Sequence, residues 1–112
     1  MSAAHYKLDN RIGLLDYNGI QIDGFVEDVM NVGSLEDKFA AFGWETLSID
    51  GNNMEEIVGA LDEAKKVTGK PVIIIGKTLL GKGVSIFENN PKYHGVAPSD
   101  EELKVALKEL GE

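Results

Sequence analysis

The chain contains no cysteine. That absence excludes disulfides, thiolate catalysis and zinc–thiolate centres, and fits a cytoplasmic protein. Positive charge is also short: 11 Lys and Arg stand against 19 Asp and Glu, a formal net charge of −8. Nucleic acids and anionic membranes both require clustered cations, so neither is an expected partner. Long apolar runs are missing too, since a stretch such as residues 72–75 has the length of a strand and not of a membrane span. No secretory leader is expected, because MSAAHYKLDNR has no apolar centre. Internal repeats and low-complexity linkers are absent. What remains is 112 residues, 43% hydrophobic and 27% charged, the composition of one ordinary globular domain with a modest core.

Three short runs of branched apolar residues predict strands at 12–15, 46–49 and 72–75. The first and third are continuous and not alternating, as in strands covered on both faces of a parallel sheet. Between them lie helical patterns. Met54, Ile57, Val58, Leu61 and Ala64 recur at helical spacing, with Asn52–Glu55 or Asn53–Glu56 as the opening cap and Gly69 and Pro71 as the stop. Ser34 with Asp37 opens a shorter helix carrying Leu35, Phe39 and Phe42 and closed by Gly43. Ser99 with Glu102 opens a last helix, striped by Leu103, Ala106, Leu107 and Leu110. The start, MSAAHYKL, reads as the tail of another helix. Alternation of this kind implies an α/β layered fold, a mostly parallel sheet flanked by helices. In such sheets ligands bind beyond the carboxyl ends of the strands, which draws attention to the loops after Leu15 and after Ile75.

In the first loop Asn18 offers an amide oxygen and Ile20 a backbone carbonyl, both suited to a hard cation such as Mg²⁺ or Ca²⁺. An Asx-type turn is the plain alternative and the default on residue types alone. In the second, Gly81-Lys82-Gly83 could cradle a phosphate through backbone N–H groups, although the full P-loop spacing is missing and a flexible loop is the default. His94, before Gly95, is a possible phosphate donor or simply a structural histidine.

Taken jointly, LDYNGIQIDG, KFAAFGWET, IDGNN, KPVIIIGKT, GKGVSIFEN and YHGVAPSDEE resemble, in order, the transketolases, and in particular the first half of their split, two-subunit forms. The related deoxyxylulose-phosphate synthase shares the Gly-Lys-Gly loop and the His-Gly, but QIDG and FGWE favour transketolase. The resemblance implies a thiamine-diphosphate-binding fold, with residues 1–112 forming a single domain unit that is the second half of the diphosphate-binding domain. By matching positions, Asn18 would give its side-chain oxygen and Ile20 its carbonyl to the Mg²⁺ or Ca²⁺ that grips thiamine diphosphate. Ile22 and Leu80 would pack near the thiazolium ring, and His94 would hydrogen-bond the diphosphate. Asp16 would shape the loop without ligating the metal. Lys82 is placed near the diphosphate by its charge alone.

The family's Gly-Asp-Gly half-motif, its upstream substrate-binding histidines and the activating glutamate of its second domain do not occur in these residues. The resemblance therefore implies that Met1 corresponds to an internal position, whereas KELGE resembles the natural finish of a first subunit. The expected partners are sugar phosphates, the remainder of the N-terminal section and the C-terminal transketolase subunit, with the chain inactive by itself. A non-catalytic α/β fragment or a partner-binding module is the alternative. A homodimer is a further expectation, through a bare strand edge and apolar residues near Ala3, Ala4 and Tyr6.

Overall fold

The computed structural model describes residues 1–111 and divides them into two compact units. The first comprises Met1–Tyr17 and Val32–Lys77. Its centre is a parallel three-stranded sheet, with β1 (Ile12–Tyr17) and β4 (Glu45–Asp50) on either side of β5 (Val72–Lys77). Leu14 is in register with Ile74, and Ile74 with Leu47. Being central, β5 is covered on both faces, and residues 72–75 are all buried. Burying one such aliphatic side chain is worth about 1.5–3 kcal/mol, and this run places four of them in succession.

One face of β5, Val72 and Ile74, meets Ala60 and Ala64 of α4 (Met54–Ala64), with Ile12, Leu47, Ile49, Leu61 and Val67 packed around them. The alanines, four apart on one helical face, let the helix sit close to the sheet. On the other face Ile73 lies over Gly13, where an added Cβ would come within 2.8 Å of its Cδ1. Trp44 fills the space alongside, edge-to-face with Phe39 of α3 (Leu35–Ala41) at 5.7 Å.

The caps follow the sequence. Ser34 Oγ accepts from Asp37 N at 3.0 Å. Of the two asparagine alternatives, Asn53 is the cap, its Oδ1 accepting from Glu55 N and Glu56 N. The helical stripe on α4 needs correction: Met54 is 70% and Val58 51% exposed, while Ala60 and Ala64 take the buried line. The helix also ends at Ala64, ahead of Gly69, because the next amides tighten to bonds from Lys66 N to Glu63 O and Val67 N to Ala64 O. The opening helix α1 is short, Ser2–His5. Ala3 and Ala4 are half-buried, contrary to expectation, because Ala4 lies against Gly43, whereas Tyr6 is exposed.

The second unit comprises Asn18–Asn31 and the chain from Thr78 onward. It opens with a small antiparallel hairpin, β2 (Ile20–Gln21) and β3 (Gly24–Phe25), with Ile22 and Asp23 at the tip, followed by α2 (Val26–Val29). A long loop leads to a 3₁₀ turn (Pro91–His94) and to α5 (Asp100–Leu110). Ser99 and Glu102 form a complete capping box at the start of α5, and Gly111 closes it in the left-handed region at φ 87°. Only Ala106 of the predicted stripe on α5 is buried; Leu103, Leu107 and Leu110 are exposed.

Candidate functional site

All five residues singled out from the sequence, Asn18, Ile20, Ile22, Leu80 and His94, fall within the second unit. Asn18 Oδ1 accepts from Ile20 N at 3.0 Å, an Asx turn made possible by Gly19 at φ 72°. The Gly19 carbonyl accepts from Val26 N at 2.9 Å, joining the turn to α2. Ile20 is buried at 4% exposure and anchors the backbone at this point. The turn and the oxygen-donor readings are compatible, since an amide oxygen has two lone pairs and the Ile20 N–H engages one.

Ile22, at the hairpin tip, is 71% exposed, and a Cβ added to Gly95 would stand 3.6 Å from its side chain. The hairpin tip thus meets the end of the 3₁₀ turn, where His94 is exposed. Between them is a hollow of about 470 Å³, lined by residues 22–24 on one side and by Pro91, Lys92, Gly95 and Val96 on the other. Leu80 is half-buried and lines a smaller hollow of about 160 Å³ with Gly81, Phe87, Tyr93, Val96 and Pro98. Val96 is shared by the two.

The Gly-Lys-Gly loop does not present a phosphate cradle. Lys82 N donates to Leu79 O, Val84 N to Gly81 O, and Gly83 N to Glu88 Oε1, so these amides are satisfied internally. Lys82 Nζ itself lies 3.9 Å from Glu88. Gly81 is required by packing: at φ 71° an added Cβ would come within 2.7 Å of the Phe87 backbone. Asp16 is an exposed residue of β1, in register with Gly76.

Sequence reasoning missed a polar network beside the 3₁₀ turn. Glu102 Oε1 accepts from the Tyr93 hydroxyl at 2.6 Å and from Lys92 Nζ at 3.3 Å, while Oε2 accepts from Ser99 N at 2.7 Å. The Ser99 amide, then the Tyr93 hydroxyl and Lys92, hold the Glu102 carboxyl down at about 2. Lys92 is raised, chiefly by the Tyr93 hydroxyl and then by Glu102. Ser85 ties its hydroxyl and its amide to Glu109, lowering that carboxyl. The capping pair Ser99–Glu102 is legible as sequence; its second partner, nine residues before Glu102, has no local signature.

Among the described residues, no group of three or more His, Cys, Asp or Glu could hold a metal ion. A hard cation here would need oxygens beyond the Asn18 amide and the Ile20 carbonyl.

Residues 1–112 match the family described as transketolase, thiamine diphosphate binding domain. The chain belongs to this transketolase family. It is 43% identical over 110 residues to the 6-deoxy-6-sulfo-D-fructose transketolase subunit of Clostridium sp. (strain MSTE9), covering 98% of this chain and 40% of that one. It is 38% identical over 112 residues to one subunit of the apulose-4-phosphate transketolase of Phocaeicola vulgatus, covering 100% and 40% respectively. This transketolase-family chain therefore spans about 40% of the length of these curated relatives. Among solved structures, the transketolase of Campylobacter jejuni superposes with a TM-score of 0.90 at 41% identity, over 98% of this chain and 17% of that one. The Leishmania mexicana transketolase gives 0.88 at 28%, over 98% and 16%. The α/β class, a parallel three-stranded sheet with flanking helices, is thus that of transketolase thiamine-diphosphate domains. No helix among the described residues is long and apolar enough to cross a membrane.

Proposed function

We propose that this chain is part of a transketolase and contributes part of its diphosphate and metal cradle. Residues 1–112 are read as the second half of one diphosphate-binding domain, in a cytoplasmic enzyme that moves a two-carbon ketol unit between sugar phosphates. Asn18 gives Oδ1, and Ile20 its carbonyl, to Mg²⁺ or Ca²⁺; His94 hydrogen-bonds the diphosphate; Ile22 and Leu80 pack beside the thiazolium ring. Thiamine diphosphate, when bound, supplies the nucleophilic carbon and the electron sink for the transfer. The chain's own residues hold and orient. The observation that carries this reading is the match of residues 1–112 to the transketolase thiamine diphosphate binding domain, and the Asx turn is compatible with it because the Ile20 amide engages one of the two lone pairs of the Asn18 oxygen.

The reading also makes the chain dependent on others. Mg²⁺ takes near-octahedral oxygen coordination, and two neutral oxygens leave most of that shell unfilled. The proposed sources of the missing groups are the remainder of the N-terminal section and a C-terminal transketolase subunit. β1 lies at the edge of the three-stranded sheet, where its outer backbone groups suit a further strand, and Leu14 on its face is 72% exposed, which suits a second copy or a partner.

Calorimetry of the isolated chain with thiamine diphosphate and millimolar Mg²⁺ tests this dependence. Weak or undetectable binding is expected. A micromolar dissociation constant would mean that the chain holds a complete site and would overturn the shared-cradle reading.

A further inference from the structure

We propose that Glu102 is a positioning residue for His94, acting through the hydroxyl of Tyr93; the inference rests on the reading that His94 contacts the cofactor diphosphate. His94 is the last residue of a four-residue 3₁₀ turn. So short a 3₁₀ segment has poor internal hydrogen-bond geometry and takes its orientation from what holds it. Locally, Asn90 closes the turn, its Oδ1 accepting from Lys92 N and its carbonyl from Tyr93 N. These bonds shape the turn but do not aim it. Two residues of the turn tie it to α5 through Glu102 Oε1: Tyr93, directly before His94, at 2.6 Å, and Lys92 at 3.3 Å.

Helix capping does not account for this arrangement. The capping box engages Glu102 Oε2 with Ser99 N at 2.7 Å. Oε1 is left over, and it takes both Tyr93 and Lys92, whose Nζ also stands 3.2 Å from the Tyr93 hydroxyl. The Glu102 side chain is 26% exposed, so water competes only in part for these bonds. The Tyr93 ring is held as well, tilted against Phe87 at a centroid distance of 4.6 Å. Phe87 is in turn the residue whose backbone leaves no space for a side chain at Gly81. Beyond His94, Gly95 meets Ile22 of the hairpin tip. The carboxylate of Glu102 therefore sets the angle at which the turn presents His94.

The chain has two histidines, His5 and His94, so ring-labelled histidine NMR reports each separately. Tyr93→Phe removes the hydroxyl and keeps the ring on Phe87. The His94 ring signals are expected to shift or broaden in Tyr93→Phe and in Glu102→Gln, while those of His5 stay in place. Unmoved His94 signals in both variants would overturn the proposal. Cofactor binding by an assembled transketolase that contains this chain separates the inference from the reading beneath it. Tyr93→Phe should weaken thiamine diphosphate binding by up to about tenfold, the worth of roughly one hydrogen bond to the diphosphate, and should add nothing on a His94→Ala background. If His94→Ala alone leaves binding unchanged, the role of His94 falls and the positioning role with it. If His94→Ala weakens binding but Tyr93→Phe multiplies in full on top of it, only the positioning role falls.

Discussion

The two units of the chain are held together by different physics. In the first, the buried residues are a continuous aliphatic strand, the Pro71 before it and two helical alanines, with parallel ladders on both sides of β5. In the second, Ile20, Val84 and Ala106 are the buried apolar side chains among the described residues, and much of the order comes from polar side chains gripping backbone. Asn18, Glu88, Asn90, Glu102 and Glu109 each accept from a main-chain amide there. The candidate site lies wholly in the second unit. A surface meant to receive a ligand keeps its groups accessible, and a thin apolar core is the consequence; turn chemistry then has to supply the geometry.

Substitutions sharpen this contrast. Ile75→Ala, at 1% exposure in the central strand, should cost about 2–5 kcal/mol in a denaturant melt. No apolar truncation in the second unit should match it. Gly81→Ala combines a positive φ with a clash on the Phe87 backbone, and should cost about 1–3 kcal/mol. Ser99→Ala removes one half of the capping box and should cost about 1 kcal/mol, visible as lost helicity in α5. Acid should act by a smaller and more graded route. Glu102 is depressed from 4.5 to about 2 in the folded chain, so its contribution is complete above pH 4.5 and is lost as pH falls towards 2. Glu109 in the same unit and Glu36 in the first are lowered too, so Glu102→Gln should reduce the acid response without abolishing it. Lys65→Ala, which breaks an exposed pair with Asp62, should change stability by less than about 0.5 kcal/mol.

The same contrast governs how much was legible beforehand. The three strands were readable because branched apolar runs mark them, yet each extends further than its run. β1 takes in Asp16 and Tyr17, since ladder pairing with Gly76 and Lys77 uses backbone and tolerates an exposed carboxylate. Helix starts were readable through Ser34, Asn53 and Ser99, whose side chains act on amides two or three residues away. The stripes were less so: Met54 and Leu103 fit the helical period but not the side that is covered. The two-residue strands β2 and β3 carry no period at all, and went unseen. The site residues were found as motif positions of a family, not as a pattern of burial. The tie from Glu102 to Tyr93 depends on how a loop returns to a helix, which spacing does not encode.

In the proposed cradle the Asn18 amide oxygen, held by its own Asx turn, would be a ligand to the divalent cation of the cofactor. The direct test is thiamine diphosphate binding by an assembled transketolase that contains this chain, titrated with Mg²⁺, for the native protein and for Asn18→Ala. Asn18→Ala is expected to remove most of the Mg²⁺-dependent gain in affinity. Its stability should fall by no more than about 1 kcal/mol, the cost of losing one turn hydrogen bond. An unchanged dependence on Mg²⁺ would overturn the ligand role and leave Asn18 as a turn residue alone.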